Sequence, residues 1–262
     1  GQLIGVDLDP YALDYTEKRL SAPQNSYSLH NGNFREYPIL LQTLGVGKLT
    51  GILFDLGSSS SQFNTGRRGF SFQEDAPLDM RFNPNGKLSA HDFLNNEHEE
   101  EISNVIRDYG EERHHRKIAK LIFQAAKSGE MNTTFDLKQV VSKCAHPRYL
   151  TKSLARVFQA IRIKVNDELN SLKDALNSST QWLKTGGRIA VISFHSLEDR
   201  IVKQFFKDSA ITCVCPREYP VCVCDTVPSL NILTRRAVVP GKPEMDENPR
   251  SRSAKLRVAE KI

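Results

Sequence analysis

The chain has 262 residues, of which 39% are hydrophobic and 26% are charged, and its formal net charge is +5 at pH 7. This composition is ordinary for a folded globular protein and argues against an intrinsically disordered one. No apolar stretch approaches the roughly 18 residues that a membrane-spanning helix needs, so we expect no membrane partner. The mild positive charge is compatible with a phosphate-rich partner, but many enzymes share it.

The first part of the chain alternates between strand and helix patterns. A short apolar run over 3–6 ends at Asp7, and Asp9 followed by Pro10 is typical of a helix start. Strands that alternate with helices predict a parallel α/β sheet. The further elements predicted here are strands over 26–29 and 50–55 and a helix over 36–44.

The character of the sequence changes at about residue 83. From there to 153 the predicted elements are charged helices without strands, which we interpret as an inserted all-helical domain, and Ser89 is a candidate N-cap. The α/β pattern then resumes, so 1–82 and 154–262 are predicted to be two parts of one domain. The predicted elements are helices over 89–94, 97–109, 112–128 and 136–143, one long helix over 154–183, a strand over 188–194, a helix over 198–207 and an alternating strand over 255–259.

Two carboxylates follow predicted strands. Asp55 ends an apolar strand and precedes Gly57, four serines and Gln62. The carboxyl ends of parallel strands are where ligands bind, so Asp55 and Gln62 are candidates to contact a cofactor or a substrate amine. The alternative is a surface turn that Asp55 caps. Asp7 would likewise accept hydrogen bonds from ribose hydroxyls, or it is an N-cap or turn carboxylate.

A third polar group follows the predicted strand over 188–194. Ser193 and His195 lie at its end, beside the strand that ends at Asp55 if the sheet has the usual order. His195 would position a base or a phosphate. A serine hydrolase is not indicated, because the Gly-x-Ser-x-Gly motif of the α/β-hydrolases is absent. A structural role is also open, in which Ser196 caps the next helix and Glu198 completes a capping box.

Four of the five cysteines lie close together, as Cys213-Val-Cys215 and Cys222-Val-Cys224. An odd number of cysteines and an N-terminus without signal-peptide features predict a reducing, cytoplasmic location. Zinc, plain thiols and a redox-sensitive clip are the alternatives for the four. Structural zinc sites prefer about two to four residues between paired cysteines. One residue separates these pairs, so the thiol and redox alternatives are favoured and no metal is predicted.

In combination, segments along nearly the whole chain resemble the ribosomal RNA small subunit methyltransferase H family. The block around His195 is very specific, whereas a lone Asp-x-Asp-Pro would be a weak signal. The matching segments are Gly5-Val-Asp-Leu-Asp-Pro10, Gly51-Ile-Leu-Phe-Asp-Leu-Gly57, Arg68-Gly-Phe-Ser-Phe72, Pro77-Leu-Asp-Met-Arg81, Tyr109-Gly-Glu-Glu-Arg113, Phe158-Gln-Ala-Ile-Arg162, Val165-Asn166 with Glu168-Leu169, Ile192-Ser-Phe-His-Ser-Leu-Glu-Asp-Arg-Ile-Val-Lys203 and Asn248-Pro-Arg-Ser-Arg-Ser-Ala-Lys-Leu-Arg257.

The resemblance implies a class I (Rossmann-like) methyltransferase sheet with an inserted all-helical domain. It implies transfer of a methyl group from S-adenosyl-L-methionine to N4 of a cytidine in the decoding region of small-subunit ribosomal RNA. The RNA or the small ribosomal subunit would be the partner, in the cytoplasm or, for a eukaryotic source, the organellar matrix; a homodimer is compatible with it. By motif position Asp7, Phe34, Asp55 and Gln62 would bind the cofactor, and Asp55, Asp79, Arg81, Ser193 and His195 would act at the cytidine.

The chain departs from the family at its start. It begins with Gly1 and reaches a strand-like run at once, so we expect the family's first strand and Gly-rich cofactor loop to lie outside it. An RNA-binding or assembly factor with impaired catalysis is therefore an alternative function. A DNA amino-methyltransferase is disfavoured, because no Asp/Asn-Pro-Pro-aromatic motif follows the strand that ends at Asp55.

Overall fold

A computed structural model of the protein describes residues 1–20, 26–57, 68–216 and 223–262. The chain divides into two compact units. The first unit comprises Gly1–Gly32 and Ser58–Glu168, and the second comprises Asn33–Gly57 and Leu169–Ile262.

The first unit begins with a strand–helix–strand segment. Strands β1 (Leu3–Asp7) and β2 (Tyr27–Asn31) pair in parallel, with Asp7 opposite Asn31, and helix α1 (Pro10–Arg19) connects them. Asp9 caps α1, because its carboxylate accepts a hydrogen bond from the Tyr11 backbone N–H at 3.1 Å. The strand ending at Asp7 and the helix start at Asp9 are therefore confirmed.

From Ala90 onward, most of the first unit is helical. The helices are α3 (Ala90–Asn96), α4 (Glu99–Gly110), α5 (His115–Lys127), α6 (Thr134–Ser142) and α7 (Leu150–Asn166). Each contributes fully buried apolar side chains to one core, among them Phe93, Ile106, Ile122, Leu137 and Ile161. Ser89 caps α3 in a reciprocal capping box with Asp92, as expected. The predicted helices are confirmed, whereas the domain boundaries at 83 and 153 stay a prediction.

The single long helix predicted over 154–183 is wrong. Helix α7 ends at Asn166, Asp167 takes left-handed backbone angles (φ 49°), and α8 (Glu168–Trp182) begins directly afterwards. The Asn166 side chain is held at this end by the loop 80–82, donating to the Met80 carbonyl at 2.8 Å and accepting from the Phe82 N–H at 2.7 Å. A break of one residue barely disturbs helical spacing, so periodicity does not reveal it.

The second unit contains a mixed four-stranded sheet in the order β3-β4-β6-β5. Strands β3 and β4 are parallel, and β6 is antiparallel to both of its neighbours. Its elements are α2 (Tyr37–Thr43), β3 (Leu49–Asp55), the greater part of α8, β4 (Leu183–Ser193), α9 (Ser196–Ser209), β5 (Leu230–Ile232), α10 (Lys242–Glu247) and β6 (Lys255–Lys261). The α/β, Rossmann-like fold class is thus confirmed, although β4 begins at Leu183, before the predicted residue 188.

Among the residues that the structure describes, no helix has both the length and the apolar character needed to cross a membrane.

Candidate functional site

The carboxyl ends of β3 and β4 lie side by side in the second unit. Asp55 aligns with Ile192, and the Leu56 N–H donates a hydrogen bond to the Ile192 carbonyl at 3.0 Å. The prediction that the polar segment Ser193–His195 follows the strand next to Asp55 is therefore confirmed. Because ligands bind outside the carboxyl ends of parallel strands, this edge is the first candidate for chemistry.

The Asp55 carboxylate is held in an unfavourable electrostatic environment. Its side chain reaches solvent, but partial desolvation raises its pKa, and the negative charge of Glu198 raises it further. An anion that is incompletely solvated and lies near another anion gains more than usual from an added hydrogen-bond donor. Asp55 is therefore suited to accept a hydrogen bond from a ligand hydroxyl or amine.

His195 and Glu198 form a compact polar pair at the start of α9. Glu198 Oε2 accepts the N–H groups of Phe194 (2.8 Å) and His195 (3.2 Å), and His195 Nδ1 accepts the Glu198 N–H at 3.4 Å. The N-cap of α9 is thus His195, and the expectation that Ser196 caps this helix is wrong. The imidazole ring can reach back to the Glu198 N–H from the N-cap position, as a capping serine would.

The hydrogen bond to Nδ1 favours one tautomer of the neutral His195 ring. Since Nδ1 accepts a hydrogen bond, the proton of the neutral imidazole is assigned to Nε2. Nε2 is buried 3.1 Å from Glu198 Oε1, but the pair is not aligned as a hydrogen bond, and no other acceptor bonds it within the described parts of the chain. The Nε2–H group of His195 is therefore a buried donor whose neighbouring acceptor group is the Glu198 carboxylate.

Ser193 takes a structural position. Only 2% of the residue is exposed, and its hydroxyl donates to the Lys255 carbonyl on the neighbouring strand β6 at 3.4 Å. Lys255 and Arg257 of β6 in turn bind the Asp199 carboxylate of α9, at 3.1 and 2.6 Å. The sheet and α9 are therefore joined directly behind His195. A direct role of Ser193 in the chemistry stays a prediction.

Phe34 is attached to the strand that carries Asp55. It begins a 3₁₀ turn, Phe34–Glu36, that Asn33 caps through a 3.0 Å bond from the Arg35 N–H. The half-buried Phe34 ring packs against Phe54, with 5.8 Å between ring centroids. Phe54 directly precedes Asp55, so the ring and the carboxylate belong to one packed group within this unit.

In the first unit, Asp7 combines a turn role with an available oxygen. Its Oδ1 accepts the Asp9 N–H at 2.8 Å, as the turn interpretation expects. Its Oδ2 accepts no hydrogen bond in the part of the chain that the structure describes. Desolvation, with a contribution from the charge of Asp9, raises the pKa of Asp7. One carboxylate can thus fill both the turn and the ligand role.

Asp79 and Arg81 bind each other. Two hydrogen bonds of 2.6 and 2.9 Å join the guanidinium to the carboxylate, and Arg81 Nη1 also donates to the Gly86 carbonyl at 2.7 Å. Met80 between them has a positive φ of 58° and is almost fully buried. The two predicted residues therefore lie in a rigid loop, and their role at a substrate stays a prediction.

Comparisons with known proteins identify the family of the chain. All of residues 1–262 match the family model described as the MraW methylase family. The chain belongs to this family. Similar proteins named "Ribosomal RNA small subunit methyltransferase H" come from Geobacter sulfurreducens (48% identical, 100% of this chain, 85% of the relative), Fusobacterium nucleatum (45%, 100%, 83%) and Caldicellulosiruptor bescii (45%, 100%, 85%).

Membership of the MraW methylase family confirms the resemblance seen in the motifs. Of the predicted site residues, Asp55, Phe34, Ser193 and His195 lie in the second unit, and Asp7, Asp79 and Arg81 in the first. Gln62 lies outside the residues that the structure describes.

Sequence reasoning missed the function of Arg68 in this MraW-family chain. Its Nη1 lies 2.6 Å from Asp9 Oδ2, and its Nη2 donates to the carbonyls of Arg81 (2.6 Å) and Phe82 (2.7 Å). Asp9 is 1% exposed, so this is a buried ion pair that connects the start of α1 to the loop of Asp79. An arginine directly before a glycine in a family motif was the only sequence signal, and it does not reveal the partner.

Proposed function

We propose that this protein transfers a methyl group from S-adenosyl-L-methionine to N4 of a cytidine in the decoding region of small-subunit ribosomal RNA. Three similar proteins carry names that state ribosomal RNA methylation. The observation that carries the proposal is the Asp55 carboxylate at the end of β3, whose negative charge is incompletely neutralised. His195, which follows the end of the neighbouring strand β4, carries an N–H donor.

The side chains fit the cofactor that the proposal requires. When bound, S-adenosyl-L-methionine supplies an electrophilic methyl group on a sulfonium. Asp7 would accept ribose hydroxyls through the oxygen that its turn leaves available, as acids at strand ends do in nucleotide-binding sheets. Phe34 offers a half-buried aromatic face for the adenine. Gln62 is assigned to the same cofactor by its motif alone.

Asp55 would prepare the cytidine amine for attack. The lone pair of this amine is delocalised into the ring, which makes the nitrogen a poor nucleophile. A carboxylate that accepts one N–H hydrogen bond returns electron density to the nitrogen, and the raised pKa of Asp55 favours that acceptance. After methyl transfer the excess proton can leave through the same carboxylate oxygen.

His195 would orient the base. If the side chain turns toward the substrate, its buried Nε2–H would donate to a carbonyl or ring-nitrogen acceptor of cytosine. Positioning contributes much of the rate in such transfers, because reacting atoms must be held about 3–3.5 Å apart. The target base must leave its stack to enter a pocket, and this costs less in single-stranded RNA. We place the Asp79–Arg81 loop near the cytidine on motif position.

The test is transfer of tritium from labelled S-adenosyl-L-methionine to small ribosomal subunits and to their isolated RNA. The protein should label one of these substrates as N4-methylcytidine, and Asp55→Ala should abolish labelling. Asp14→Ala is the matched control, since Asp14 is an exposed helix carboxylate that pairs with the exposed Lys18. Absence of transfer to any RNA by folded protein would contradict the proposal.

The same assay separates the alternatives. Clear calorimetric binding of S-adenosyl-L-methionine by the chain would reject the catalytically impaired alternative. Binding of RNA without cofactor binding or methyl transfer would favour the RNA-binding or assembly factor. Labelling of DNA in place of RNA would indicate an amino-methyltransferase of DNA.

A further inference from the structure

The segment between α9 and β5 carries three cysteines, Cys213, Cys215 and Cys224, in the parts that the structure describes, 210–216 and 223–229. Its ends meet where the Ser229 N–H donates to the Ser209 carbonyl at 2.8 Å. The parts of the segment that the structure describes contain neither helix nor strand. Long segments without secondary structure are uncommon in compact proteins, so some other interaction is expected to order this one.

Three thiols of this segment converge on one point. The Sγ atoms of Cys213, Cys215 and Cys224 all lie within 4.8 Å of one another. Cys213 and Cys224 are 3.7 Å apart at sulfur. Two thiolates on a tetrahedral zinc ion, each about 2.3 Å from the metal, are separated by roughly 3.8 Å. The separation of Cys213 and Cys224 therefore matches that of two ligands on one zinc ion.

Backbone N–H groups point at each of the three sulfurs. Val214 N–H donates to Cys224 Sγ at 3.3 Å, Cys215 N–H to Cys213 Sγ at 3.4 Å and Val223 N–H to Cys215 Sγ at 3.3 Å. Hydrogen bonds to the charged form of a group favour that form, and metal ligands are thiolates. Such outer donors orient and stabilise metal ligands.

The one-residue spacing that argued against a metal does not prevent this convergence. The Cys215 N–H bonds back to Cys213 Sγ, which turns the chain so that both sulfurs face the same side. The side chains of Val214 and Val223, which separate the cysteines of each pair, are 64% and 74% exposed. The preference for about two to four residues between paired cysteines describes zinc sites with longer turns. The turn between Cys213 and Cys215 is tighter.

We propose that Cys213, Cys215 and Cys224 bind a zinc ion that orders residues 210–229. Thiolate ligands select soft or borderline metals, and zinc takes them in tetrahedral geometry. The three sulfurs supply three of the positions, and the fourth remains for a further ligand. Binding releases the thiol protons and involves no change of oxidation state. The site is independent of the methyl-transfer chemistry proposed above.

The experiment is elemental analysis of the whole protein, purified under reducing conditions without chelator. The expected result is about one zinc per chain. Cys213→Ser, Cys215→Ser and Cys224→Ser should each lower this content about five-fold or more. Cys144→Ser is the matched control and should leave it unchanged, because Cys144 packs against the helical core of the first unit.

A second measurement covers variants that fold poorly. Chelation of the unaltered protein, followed by titration with cobalt(II), should produce thiolate-to-cobalt charge-transfer absorption, and zinc should displace it. Zinc content near zero with no cobalt absorption would overturn the proposal. So would equal zinc content in the cysteine variants and in Cys144→Ser, or an intact mass showing that the purified protein holds these cysteines in a disulfide.

Discussion

Carboxylates have different roles in two regions of the molecule, the loops of the first unit and the end of strand β3. In the first unit Asp9 and Asp79 each lie against an arginine, at 2.6 Å in both cases. At the end of β3, Asp55 instead lies in the field of another carboxylate, Glu198, and its pKa is raised. Asp9 and Asp79, which are bound by arginines, hold their loops in place. Asp55 would be stabilised by a hydrogen-bond donor from a ligand. This difference separates scaffold from candidate chemistry more clearly than residue type does.

Removal of the Arg68 guanidinium should have the largest effect on stability. Arg68→Ala leaves the Asp9 carboxylate buried and removes the donor of two carbonyls, so we expect a loss of about 3–5 kcal/mol in the free energy of unfolding. Urea denaturation measures it. Arg107→Ala is the control, because the ion pair of Arg107 and Asp108 is exposed and screened by solvent, so its loss should change stability little. Equal losses in both variants would contradict the scaffold interpretation.

Asp55→Asn should have the opposite pattern to Arg68→Ala: it should lower the methyl-transfer activity and leave the free energy of unfolding nearly unchanged. The amide cannot accept the amine proton or carry negative charge, so methyl transfer should fall about 100-fold. The unfolding midpoint should stay equal or rise, because repulsion from Glu198 is removed. Initial rates and thermal denaturation measure the two effects, with Asp14→Asn alongside. A strongly destabilised Asp55→Asn would assign Asp55 to the scaffold.

Asp199 tests the comparison within the second unit, since it is a carboxylate of α9 bound by two cations. Burial alone would raise its pKa, but its bonds to Arg257 and Lys255 outweigh burial and lower it. A lowered folded-state pKa gives stability that is present above the ordinary value of about 3.9 and is lost as pH falls through the folded value.

Asp199→Asn should therefore cost about 2 kcal/mol at pH 7, and the difference from the unaltered protein should shrink below about pH 4. Urea denaturation across this pH range measures it. A difference that does not change with pH would show that packing, and not charge, holds Asp199.

The smallest expected effect concerns the acid side of the pH–rate profile. If Asp55 acts as an anion, transfer should decline as pH falls through its raised pKa. Glu198→Gln removes the neighbouring charge and should move that decline to lower pH, because one of the two causes of the raised pKa is lost. Single-turnover rates between neutral and acidic pH measure the shift. A decline that stays in place would attribute it to another group.

Local sequence was sufficient for much of the fold and for the chemistry of the β3 edge. The end of β1 at Asp7, the caps at Asp9 and Ser89 and the alternation along β6 all follow from patterns within a few residues. Family motifs located Asp55, Phe34 and His195. These features depend on neighbours in the chain, which is why reading along it finds them.

Tertiary structure alone decided four other points. They are the helix break at Asp167, the capping of α9 by His195, the ion pair of Arg68 with Asp9 and the convergence of the thiols around Cys213. Two of them join residues that are far apart in sequence, and the other two depend on backbone angles set by a few hydrogen bonds. Periodicity and spacing report the average path of the chain. They do not report which donor meets which acceptor once the chain has folded.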